Sequence, residues 1–196
     1  MTFNELLEEV YALTNRRDLV AETKGAVKAA TLKAHRTDYY SKDIFETGIS
    51  FDTSEYRQSL DYINLISNFR AFKYLRLSDD NATDSGPFIE VVTPEEVLDS
   101  YGINRTNIAY VAGRALEIRA SVTFSKALLG CYVLPIIREE DYSSWIAEQC
   151  PYYIVYEAAR VVFKAIGYDE QANTFNGLVA EEYMLLKMTG LTDVGY

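Results

Sequence analysis

The hydropathy pattern of this chain changes period twice, and that change limits the fold more than any other feature. Near both ends, apolar residues recur at three- and four-residue spacing, the repeat of one helix face. Phe3, Leu6, Leu7, Val10 and Tyr11 make such a stripe, and Thr2 with Glu5 forms a capping box in front of it. Asp18 is placed to cap a second helix over residues 21–36, where Ala26, Ala29, Ala30 and Ala34 suit close packing and Lys24, Lys28 and Lys33 face outward. Pro151 opens a helix at its first position, with Ile154, Val155, Ala158, Ala159, Val162, Phe163 and Ile166 as its apolar face and Gly167 as its stop. Asp169 caps the last helix, which carries Ala172, Phe175, Val179, Tyr183 and Leu186 and ends at Gly190.

Between these ends the period shortens. Residues 45–51, 56–63, 69–77, 108–111, 116–122 and 127–134 are short runs rich in β-branched and aromatic residues, separated by Gly, Asn, Asp and Ser. They read as antiparallel strands. Val111-Ala-Gly-Arg-Ala predicts a hairpin, and Thr93-Pro-Glu-Glu a short helix that stops at Gly102. Residues 78–87 read as a polar, mobile loop. The expected fold is α+β: a bundle from residues 1–40 and 138–190, a β-rich insertion over 41–137 as a second lobe, and a tail at 191–196.

Composition narrows the function. The 196 residues carry 19 Lys+Arg against 29 Asp+Glu, a formal charge of −10. That disfavours a general nucleic-acid coat, which needs a basic footprint. No apolar run reaches the roughly 18–20 residues of a membrane span. The opening Met-Thr-Phe-Asn-Glu predicts no secretory signal, and 2 Cys make no disulfide framework.

A search for chemistry finds little. His35 is the only imidazole, so any Ser-His-Asp or Cys-His arrangement must use it; with cations around it and no motif beside it, it reads as a packing or surface histidine. Cys131 sits in an apolar run and reads as inert. Cys150 precedes a helix start, where a thiol can become reactive. Asp79, Asp80 and Asp84 lack the order of a calcium loop, and no glycine-rich phosphate loop is present. Arg70, Lys73 and Arg76 interleave with Phe69, Phe72 and Tyr74, as on a nucleic-acid stacking face, or as on a strand with one charged and one aromatic side. No metal or cofactor site is expected.

Several phrases resemble the head-to-tail adaptor (connector) proteins of tailed bacteriophages. Leu13-Thr-Asn-Arg-Arg-Asp-Leu19, then Thr23, Ala26, Ala30 and His35-Arg-Thr-Asp-Tyr-Tyr40, look like that family's first helical hairpin, and Asp43 matches its acidic residue before the first strand. Tyr132-Val-Leu-Pro135 resembles the exit from its last strand. Ser144-Trp-Ile-Ala147, Pro151-Tyr-Tyr-Ile154, Ala158-Ala159, Val162-Phe163 and Ile166-Gly-Tyr-Asp-Glu170 resemble its C-terminal helices.

The resemblance implies a homo-oligomeric ring, typically twelve-fold, under the portal protein. It would extend the DNA channel toward a tail nozzle or tube, with no active site, cofactor or membrane contact. The location implied is the virion neck, and the host cytoplasm before assembly. Residues 139–196 hold 10 acids against 3 bases. Facing a lumen, they would let DNA slide without sticking; the same charge on a solvated surface would keep free subunits soluble.

Two other classes stay open: a small metal-dependent enzyme using the acidic loops, and a nucleic-acid-binding module using residues 70–76. The 16 tyrosines suit surfaces that are wet in a free subunit and buried in an assembly. Tyr39, Tyr40, Tyr152, Tyr153, Leu191, Val194 and Tyr196 are the expected portal or subunit contacts.

Overall fold

The computed structural model describes residues 1–78, 86–98 and 101–190, with backbone alone at Thr53. The chain is α+β and divides into two units, one from residues 1–43 and 134–196, the other from residues 44–133. The polar loop expected at 78–87 and the tail at 191–196 fall mostly outside the described residues.

The first unit is helical. Helix α1 (Phe3–Thr14) starts at the Thr2 capping box: Thr2 accepts from the Glu5 amide and Glu5 accepts from the Thr2 amide. It ends at Asn15, whose left-handed φ of 51° closes the helix with a backbone bond to Tyr11. Helix α2 (Val20–Arg36) follows. Asp18 does not cap it; Leu19 holds that position, without a side-chain bond. Asp18 instead takes the Arg16 guanidinium in two bonds of 2.8 Å. A charge-assisted fork to a neighbour outcompetes one bond to a helix amide.

After the second unit come α4 (Trp145–Gln149), α5 (Pro151–Ala165) and α6 (Asp169–Gly190). Helix α5 packs against α1, α2 and α6. Its Ile154, Val155, Ala158 and Ala159 are fully buried, since a central helix is covered on most sides. Burial of one such large aliphatic side chain contributes about 1.5–3 kcal/mol. Gly190 ends α6 under the Tyr40 ring: a Cβ there would lie 2.3 Å from a ring carbon. Among the described residues, no helix is long and apolar enough to cross a membrane.

The second unit is a small barrel with extra strands. Its elements are β1 (Ile44–Asp61), the short helix α3 (Tyr62–Leu65), β2 (Phe69–Ser78), β3 (Phe88–Val92), β4 (Ile108–Ala112) and β5 (Ala115–Val133). The runs expected at 45–51 and 56–63 are one strand as far as Asp61, where Tyr62 and Ile63 turn into α3, and those at 116–122 and 127–134 are one strand that ends at Val133. Polar residues at 52–55 separate the two expected runs, yet pairing with β5 resumes beyond them across two register shifts. Strand β5 pairs with β1 along its length, with β2 by its C-terminal half and with β4 by its N-terminal half. Strand β3 pairs with both β2 and β4 and closes the barrel. The β3–β4 pair is parallel, unlike the rest. The Gly113 hairpin forms as expected, with φ 62°. The helix expected from Thr93 is only a 3-10 turn, Pro94–Val97, although its capping box with Glu96 is present.

Leu75, Leu77, Leu116, Phe124 and Leu129 fill the barrel core. On the outer face, Gly130 sits beneath the Tyr74 ring, where a Cβ would meet ring carbons at 2.4 Å. The absent side chain lets the Tyr74 hydroxyl reach across β5 and donate to Glu46 on β1.

Candidate functional site

The one cluster with catalytic-type chemistry among the described residues lies inside the helical unit. The last turn of α2 delivers His35, and a 3-10 turn, Ser41–Asp43, delivers Asp43. Ser144 is the N-cap of α4, where its Oγ accepts from the Ala147 amide at 3.3 Å. Nδ1 of His35 lies 2.7 Å from Asp43 Oδ1, and Nε2 lies 2.9 Å from Ser144 Oγ. Trp145 Nε1 donates to the same Asp43 oxygen at 2.7 Å, and its ring meets His35 edge-on at 5.8 Å.

Proton bookkeeping extends the chain of bonds. Thr31 donates its hydroxyl to Val27 O, so Tyr142, 2.7 Å away, must be the donor to Thr31. Burial pushes the Tyr142 phenol up to about 12, against opposing hydrogen bonds with Thr31 and Ser144. Asp43 Oδ2 is buried with no partner. An unsatisfied carboxylate oxygen costs stability, which marks this carboxylate as held in place by its other contacts.

The order Ser–His–Asp matches a nucleophilic triad. Access does not: His35 is 2% and Ser144 4% exposed. A cavity of about 270 Å³ passes beside Ser144, lined also by Thr2, Glu5, Tyr142 and Glu148. The Ala147 amide, which a reacting oxygen would need, is spent on Ser144 itself. As arranged, these groups fasten the end of α2, the turn before β1 and the start of α4.

A second buried charge stands nearby in the unit. Glu157 is 2% exposed and takes both Lys33 Nζ at 2.7 Å and the Arg160 guanidinium at 2.6 Å. Burial alone would raise its carboxyl, but the two cations outweigh burial and hold it below its usual range. Lys24 and Lys28 close on Glu139, whose carboxyl the Lys24 bond lowers most.

The tyrosines expected at contacts divide. Tyr40 is fully buried, packed on Trp145 and bonded to Thr37 at 2.8 Å; burial pushes it up to about 12. Tyr153 is also core, pushed by burial up to about 12. Tyr39 and Tyr152, one position earlier in each pair, are exposed. Successive residues project in different directions, so neither Tyr-Tyr pair can face outward whole. Leu191, Val194 and Tyr196 lie outside the described residues, as do Asp79, Asp80 and Asp84.

Among the described residues no cluster is able to hold a metal ion. Cys131 is buried, and burial raises its thiol. Cys150 is buried too. Arg70 and Lys73 sit where β2 shifts register against β5, and Phe69 and Phe72 pack on Tyr62.

Sequence reasoning overlooked one surface. Met184, Leu185 and Met188 stand 65%, 52% and 79% exposed on the last turns of α6. Their spacing, offset from Leu186 and Tyr183, was the available signal. No protein-family model matches this sequence, and comparison with curated proteins finds no match.

Proposed function

We propose that this chain is a structural adaptor of a tailed-bacteriophage neck, a ring that joins the capsid portal to the tail and continues the DNA channel. The observation that carries the reading is the exposed apolar face of Met184, Leu185 and Met188 at the end of α6. A free subunit gains nothing from such a face in water; an assembly covers it. The family resemblance of the helical ends supplies the kind of assembly. The burial of His35 and Asp43, and the bond that ties Ser144 to the Ala147 amide, favour a fastening role over a chemical one. The acidic excess of residues 139–196 suits a surface past which DNA slides.

Negative-stain microscopy of the protein alone and mixed with candidate portal rings tests this. Rings of fixed symmetry, or added density on one face of the portal, are expected. A chain that stays monomeric at high concentration and leaves every portal bare overturns the reading.

A further inference from the structure

Strand β1 ends the sheet: among the described residues it pairs with β5 and with nothing on its other edge. It is 18 residues long and contains neither proline nor lysine. Its protection against other strands, whose pairing open amides and carbonyls recruit, is left to its charges and to the register shifts near residues 50–57. Strands β3 and β4 have neighbours on both edges. Among the described residues, one other strand segment is laddered on one side only. Residues 69–74 of β2 pair with β5 alone, since β3 covers only Leu75 and Arg76.

The two open edges carry opposite charge. Strand β1 bears Glu46, Asp52, Glu55 and Asp61 against Arg57 alone. The one-sided segment of β2, residues 69–74, bears Arg70 and Lys73 and no acid. Pairing β1 with β1 of a second copy would set carboxylates against carboxylates, and β2 with β2 would set cations together; both are unfavourable. Pairing β1 with β2 matches them. Both strands run antiparallel to β5, so in a sheet continuing from copy to copy they run parallel to each other. A contact between two different edges is heterologous, the kind that builds a ring when the rotation from copy to copy closes.

We propose that the β1 edge of one copy receives the first half of β2 from the next copy, so that the subunits join by strand addition. The proposal rests on the ring reading and specifies its subunit contact.

Reversed charges test it. One variant is Asp52→Lys with Glu55→Lys, the other Arg70→Glu with Lys73→Glu; circular dichroism checks the folding of each. The concentration for half-assembly should rise roughly tenfold for each alone. An equimolar mixture should assemble like the wild type, because every contact is again between opposite charges when the two alternate. If β1 paired with itself, the β2 variant would assemble normally, and the proposal would fall. As a check independent of variants, carbodiimide treatment of mixed ¹⁴N and ¹⁵N wild-type protein should link Lys73 to β1 carboxylates between copies. Wild-type rings with neither charge effect nor cross-link overturn the strand contact and leave the ring standing. A wild type that never assembles overturns both.

Discussion

In the helical unit the buried polar residues Thr14, Thr23, Thr31, His35, Asp43, Ser144 and Glu157 run through the core, whereas in the β unit Ser125 is the sole described counterpart. The contrast follows from how each kind of element finds its register. A strand is registered by its backbone ladder, and a slip by one residue would turn its apolar face to water. A helix satisfies its own backbone, so an apolar stripe can settle on another in several ways. Buried groups that must find partners, as His35 finds Asp43 and Ser144 and Glu157 finds Lys33 and Arg160, favour one of them. The helical unit therefore carries its specificity in side chains, the β unit in its ladder.

Breaking the polar fastening should do most damage. His35→Ala leaves Asp43 buried with Trp145 as its remaining donor, and should destabilise the helical unit by about 3 kcal/mol. Urea unfolding followed by Trp145, the only tryptophan, reads that unit alone; amide spectra of the β unit should stay unchanged. Loss of both signals together would show the units fold as one.

The matching test of the β unit is Gly130→Val. Its side chain collides with the Tyr74 ring and severs the bond to Glu46, at a cost of about 2 kcal/mol by overpacking. Hydrogen exchange should rise along β1 and β2 and stay constant in α5.

Glu157→Gln sharpens the contrast through pH. The folded carboxyl is held below its ordinary value of 4.5, so its contribution is complete above that value and is lost as pH falls through the lowered one. The variant should lose about 1.5 kcal/mol at pH 7. An acid titration of stability should show a smaller loss for it than for the wild type.

Alkali gives the smallest effect. Tyr40, Tyr142 and Tyr153 in the helical unit are raised from 10.0 to about 12. The unfolded phenols ionise first, so stability falls as pH rises above about 10. Tyr153→Phe should flatten part of that fall in thermal melts, if loss of the hydroxyl leaves the packing intact.

The legible parts of the fold were those written locally. The Thr2–Glu5 box, Pro151 at a helix start and Gly113 in a hairpin each need only a few neighbouring residues. Strand β3 was missed because its partners are set by the barrel; residues 88–92 lie in parallel register with β4, a non-local arrangement. The unity of β1 was hidden by Asp52, Ser54 and Glu55, polar residues tolerated on an exposed strand. The cluster was half legible. His35 stood out as the only imidazole, but its partners lie 8 and 109 positions away, and no local pattern joins them.

The pairing of Ile44 with Tyr132 has a consequence for how the chain reaches this structure. The helical unit is interrupted by residues 44–133, and closing a flexible loop of that length costs about 4 kcal/mol of chain entropy. Once β1 and β5 have zipped, the two ends of the interruption are neighbours and that cost is already met. The barrel thus acts as a clasp on the backbone: formed first, it turns a distant encounter of α2 with α5 into a local one.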